Sequence, residues 1–257
     1  MADARAVIDP DLGGRVVSLL AGGIDVVVGP VDEQGRQRRP MDWGVYPMVP
    51  FAGRVRDARF GFAGSDHVLS RRAGRHAIHG TVDDVAWAID SVDDANLVMS
   101  VDLGREWPFA GTVHHRISLR DDGLRFALEL VAGDAMPAQL GWHPWFRRPA
   151  RIDAAFASWR PRDADGIAGP RTTDDVPRIF DGVDDCFDDP DGPVVVESSG
   201  IRLTLTSDCA HWVVYTGAEH GVCAEPQSGP PNGIVDEPLV LDRGGVLHRW
   251  FDVSWRE

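Results

Sequence analysis

Several short stretches of this 257-residue chain carry side chains able to move protons or grip hydroxyl groups. In Val49-Pro50-Phe51-Ala52-Gly53-Arg54, an arginine after a glycine presents a planar fork of donors to ligand oxygens. Taken alone, that arginine suits a surface ion pair equally well. In His76-Ala77-Ile78-His79-Gly80 the histidine pair hints at a metal. On a strand, however, the two rings face opposite sides, and no third or fourth ligand stands at zinc spacing. His79 reads better as a single hydrogen-bonding group beside a glycine turn, or as a core histidine satisfied by backbone. Gly141-Trp142-His143-Pro144-Trp145-Phe146 sets a histidine among three aromatics, with Pro144 holding it extended. Those aromatic faces, Trp145 included, suit the C–H side of a sugar ring or simply pack. In Cys223-Ala224-Glu225-Pro226-Gln227, Glu225 closes an apolar run and opens a Pro/Gly-rich loop. A carboxylate held there suits a general base or a structural ion pair. Asp184-Asp185, ahead of Cys186-Phe187, is weak by itself, because such pairs are ordinarily solvated.

The elements that must position these groups read as strands. Large apolar residues alternate with smaller or charged ones through Leu124-Arg125-Phe126-Ala127-Leu128-Glu129-Leu130 and again through Ile201–Thr206. Val113, Ile117 and Leu119 line one face of another run, and the tail Arg249–Trp255 reads as a closing strand. Asp121-Asp122-Gly123 and Ala132-Gly133-Asp134 are turn signals. No segment shows a capped amphipathic helical stripe. The expectation is an all-β fold, a large antiparallel β-sandwich of two sheets, with residues 1–257 forming one domain. The chemical clusters are expected near turns rather than inside alternating runs. A stretch from about 149 to 193, rich in Asp, Pro, Arg and Gly, interrupts the strands as a site-forming loop or a mobile linker.

Composition narrows the function. All 26 basic residues are arginine, which excludes Schiff-base chemistry on lysine. Forty acidic residues leave a net charge of −14, which argues against nucleic acid and against anionic membranes as partners. A neutral small molecule fits. The N-terminus lacks a basic region followed by an apolar stretch, no run is long enough to cross a bilayer, and three cysteines show no CxxC spacing. These features suggest a reduced, cytoplasmic setting.

Taken together and in order, the stretches from Pro50 to Asn232 resemble the aldose 1-epimerase (galactose mutarotase) family. Trp107-Pro108-Phe109 and the long strand leading to Gly-Trp-His-Pro-Trp-Phe extend the match. The resemblance implies a galactose mutarotase-like sandwich that binds a monosaccharide and interconverts its anomers. It implies substrate-binding roles for Arg54, His79 and Asp184, a general acid at His143 and a general base at Glu225. Gly53 stands where the family usually has Asn, Thr81 where many members have a second Gly, and Asn232 where an Asp often closes the Pro-Pro turn.

That chemistry needs one acid and one base acting on different oxygens of the same acetal carbon. A carboxylate and an imidazolium supply both without extreme tuning, and no metal or other cofactor is required. A non-catalytic sugar-binding module is the main rival. A glycosidase ranks below it, because the best-placed pair is one acid and one histidine. A hexose-6-phosphate epimerase would want arginines near the groove, for which Arg71, Arg72 and Arg75 are the candidates.

Overall fold

A computed structural model describes residues 4–255. Two antiparallel sheets, of nine and eight strands, hold most of the strand residues. The alternating run Gly123–Ala132 lies in the middle of the eight-stranded sheet, between Gly111–Arg120 and the closing strand Val246–Trp255. Phe126, Leu128 and Leu130 are fully buried along one face, while Arg125 and Glu129 turn to the partly exposed face. The period of two has become one buried face and one wet face.

The nine-stranded sheet is different, because its central strands are buried on both sides. Its path runs through Arg15–Ala21, Val45–Met48, Gly141–Arg147, Gly221–Gln227, His211–Tyr215, Asp184–Pro190 and Phe156–Arg160. One face meets the other sheet: Trp142 and Trp212 both approach Phe251, and Trp142 Nε1 donates to His115 Nε2 at 3.3 Å. The opposite face carries a second apolar cluster of Trp43, Tyr46, Met48, Trp145 and Cys223.

Two expectations are corrected here. His143 and Glu225 lie inside strands whose residues, Arg147 apart, are all buried, rather than in turn segments. They escaped the alternation because both flanks are buried, which erases the polar half of the pattern. The 149–193 segment also holds three whole strands, Ala150–Asp153, Phe156–Arg160 and Asp184–Pro190. Only the connection between the last two is irregular. No helix among the described residues is long and apolar enough to cross a membrane.

Candidate active site

Register explains how distant residues meet. His143 pairs with Tyr46 on one neighbouring strand. On the other side, Gly141 lies opposite Gln227 and Trp145 opposite Cys223, which sets His143 level with Glu225. The ladder continues from Glu225 to Val213, and from Cys223 through Tyr215 to Asp184. Because side chains alternate, all of these residues project from the face away from the inter-sheet core. A cavity of about 230 Å³ opens there, and Arg54, His79, His143, Trp145, Asp184 and Glu225 all line it.

Loops supply the rest. His79 has φ 61° and Gly80 φ 81°. A Cβ on Gly80 would fall 2.0 Å from the Val49 carbonyl oxygen, so only glycine permits this approach. The turn is pinned by Thr81 N donating to Val49 O at 2.9 Å and His79 N to Gly53 O at 3.1 Å. Gly53 likewise has positive φ, and a Cβ there would meet Pro231 at 2.7 Å. The departure from Asn at this position therefore accompanies tight packing against the Pro-Pro turn. Asn232 ties the two turns together: its backbone N–H donates to Arg54 O at 2.7 Å, and its side-chain oxygen accepts from Arg56 N at 2.9 Å.

At the centre, His143 Nε2 lies 3.4 Å from Glu225 Oε1. Gln227 Nε2 donates to the other carboxyl oxygen at 3.3 Å. The His143 ring stacks on Tyr46 and Trp145 and meets His79 edge-on at 4.8 Å. Trp145 in turn donates to Met41 O at 2.8 Å and stacks on His220. It is only 3% exposed and sits between the His143 ring at 5.4 Å and the His220 ring at 4.7 Å, which leaves little of its face open to a ligand. Asp184 accepts from Arg162 at 2.6 Å, and the only hydrogen bond from the Arg54 guanidinium among the described residues goes to Gly166 O, at 3.3 Å.

Burial reshapes the electrostatics. It pushes the Glu225 carboxyl up to about 8, against the pull of Arg162. It brings His143 down to about 3, helped by repulsion from Arg15 and Arg162. His79 is lowered strongly for the same first reason. The expectation of a carboxylate and an imidazolium with little tuning is therefore corrected: burial favours a protonated Glu225 beside a neutral His143. The pair still holds one proton between them, which belongs to the pair rather than to either residue.

Sequence reasoning missed Arg162, Tyr215 and His220, which also border the cavity. Arg162 sits just past a strand end in the segment read as an interruption, and Asp184 joins it only in three dimensions. Arg72 and Arg75 lie elsewhere, paired with Asp83 and with Asp57 and Asp165. His76 accepts from Asp57 N at 3.0 Å and does not join His79.

The family model described as aldose 1-epimerase matches residues 2–247. No curated protein sequence matches the chain. Among solved structures, a galactose mutarotase-like protein from Lactobacillus casei superposes with a TM-score of 0.81 at 14% identity, covering 100% of this chain and 98% of that one. An aldose epimerase homologue from C. elegans gives 0.80 at 13%, with 100% and 96% covered. Galactose 1-epimerase from Lactobacillus acidophilus gives 0.79 at 17%, with 100% and 92% covered. At these identities the likeness establishes the fold.

Proposed function

The chain belongs to the aldose 1-epimerase family, and from that premise we propose that it interconverts the α and β anomers of an aldose, with Glu225 and His143 moving the two protons. The observation that carries this reading is the 3.4 Å approach of His143 Nε2 to Glu225 Oε1 within one cavity. The hydroxyl oxygen and the ring oxygen share a single carbon, so the acid and base that serve them must stand side by side.

Ring opening takes a proton from the anomeric hydroxyl and delivers one to the ring oxygen. Acting as carboxylate and imidazolium, Glu225 takes the first and His143 gives the second. The pair is left as carboxylic acid and neutral imidazole, the form that burial favours. After the aldehyde turns about its neighbouring bond, the transfers run backwards and close the ring on its other face. The two forms carry the same number of protons and differ by one transfer along the His143–Glu225 contact. The pair thus serves the cyclic sugar in one form and the open chain in the other.

Arg54, His79 and Asp184 hold the sugar hydroxyls, while Trp145 backs His143 and forms part of the wall. Asp184 is engaged by Arg162, which leaves Glu225 as the carboxyl free for proton transfer and favours mutarotation over two-carboxylate glycoside cleavage. Residues 1–257 act as one unit in this reading. Its setting is the reduced cytoplasm, in keeping with Cys186, Cys209 and Cys223, all buried and unbridged.

Polarimetry on freshly dissolved α-glucose and α-galactose tests the assignment. Glu225→Gln and His143→Asn should each lower catalysed anomer exchange by about 10²–10⁴-fold. Wild-type rates in either variant reject it. Saturable sugar binding by the wild type with no acceleration would instead identify a binding module.

A further inference from the structure

Cys223 has no part in the proton chemistry, yet it stands two residues before Glu225 on the same face of the same strand. Its Sγ, a ring nitrogen of His143 and a carboxyl oxygen of Glu225 all lie within 4.8 Å of one another. We infer that these three residues form a site for one thiophilic divalent cation, of the zinc class, which occupies the reaction centre and excludes the sugar.

Geometry and charge both point this way. Nitrogen and oxygen ligands at ordinary zinc distances and a tetrahedral angle stand about 3.3 Å apart. His143 Nε2 and Glu225 Oε1 are separated by 3.4 Å. A nitrogen and a thiolate sulfur need about 3.6 Å by the same reasoning, within reach of a modest side-chain adjustment. Binding replaces the thiol proton of Cys223 and the single proton held by the His143–Glu225 pair. One thiolate, one carboxylate and one neutral imidazole then cancel a double positive charge, and two protons pass to solvent. A neutral cluster is what a buried site tolerates. His143 and Glu225 both line the cavity, so an ion held on them is reached from that side.

Two features make this ion an inhibitor rather than a resident cofactor. It would take the very atoms that proton transfer uses. His143 Nδ1 also lacks a hydrogen-bond partner among the described residues, whereas metal-binding histidines ordinarily anchor that nitrogen. The other convergent cluster, Cys186, Asp188 and His211, is less available. Asp188 already receives Arg160 at 3.0 Å and contacts His211 at 2.6 Å, so a metal there must displace a guanidinium.

Binding itself stands apart from the mutarotase reading, and only the inhibition rests on it. Cobalt(II) added to EDTA-treated full-length protein should give a thiolate-to-cobalt band in the near ultraviolet that is missing from Cys223→Ser and Cys223→Ala. In polarimetry, zinc should slow anomer exchange, excess sugar should relieve the block and EDTA should abolish it. Both cysteine variants should keep the basal rate and need about tenfold or more zinc for the same inhibition. A wild type without the cobalt band, or cysteine variants as zinc-sensitive as the wild type, overturns the proposal. If no sugar is turned over at all, the cobalt band alone decides the metal site.

Discussion

Strand Gly141–Arg147 is buried on both faces, and the contrast between them shows what marks a site. Trp142 and Phe146 enter the core between the sheets, where Trp142 bonds His115. His143 and Trp145 face the cavity on the other side. The two histidines look alike by the usual signs. Each is lowered to about 3 by burial, and each leaves its Nδ1 without a partner among the described residues. A depressed histidine or an orphan nitrogen is therefore no proof of chemistry. What differs is company: burial is the one cause acting on His115, which lies against Trp87 and Phe126. His143 touches Glu225, His79 and Tyr46 at the edge of an open volume. A buried polar group becomes functional where several such groups share a space that a ligand can enter.

Substitutions on the two faces should separate rate from stability. The largest effect is expected from Glu225→Gln, which removes the proposed proton acceptor while keeping shape, so the rate collapse above should come with little change in melting temperature. A large loss of stability in this variant would erase the contrast. On the core face, Phe126→Ala should cost about 3–5 kcal/mol in denaturant unfolding. Its kcat, measured well below the transition, should stay near that of wild type.

Smaller effects sharpen the cavity side. Arg162→Met removes the charge that engages Asp184 and should raise KM about tenfold, with a lesser fall in kcat. Arg54→Ala should raise KM more than it lowers kcat as well, because its donors serve ground state and transition state alike. Steady-state polarimetry separates the two constants, and unchanged saturation in either variant removes that residue from the binding role.

A separate test on the core face concerns pH. The unfolded chain protonates His115 below about 6.5, whereas the folded chain resists until about 3. Between these values the unfolded state binds the extra proton, so this histidine's contribution to stability is present above 6.5 and is lost as pH falls toward 3. His115→Leu should lessen the pH slope of unfolding free energy in that window by up to about 1.4 kcal/mol per pH unit. Parallel slopes for variant and wild type would show that His115 is not shielded as the core geometry implies.

Much of the fold was legible from local pattern. Where one strand face is wet, as in Gly123–Ala132 and Val246–Trp255, alternation marks the strand and its inward side directly. The same signal fails in Gly141–Arg147 and Gly221–Gln227, since a strand covered on both sides has no polar face to show. His143 and Glu225 were nevertheless singled out as candidates, one set among aromatics and the other closing an apolar run where a carboxylate is costly to bury. Arg162 was not found, because an arginine in a polar connection has nothing local to distinguish it from its neighbours.

By itself, the order of residues determined the all-β architecture, the glycine turn beside His79, and which acid and which histidine stand out as candidates. Only the tertiary structure decided that register sets His143 level with Glu225, that Arg162 meets Asp184, and that burial raises the one proton affinity and lowers the other. The physical reason is that hydrophobic periodicity and turn preferences act over a few residues. Proton affinity depends instead on how much water the whole fold removes and which charges it brings near, and no short stretch of chain encodes that.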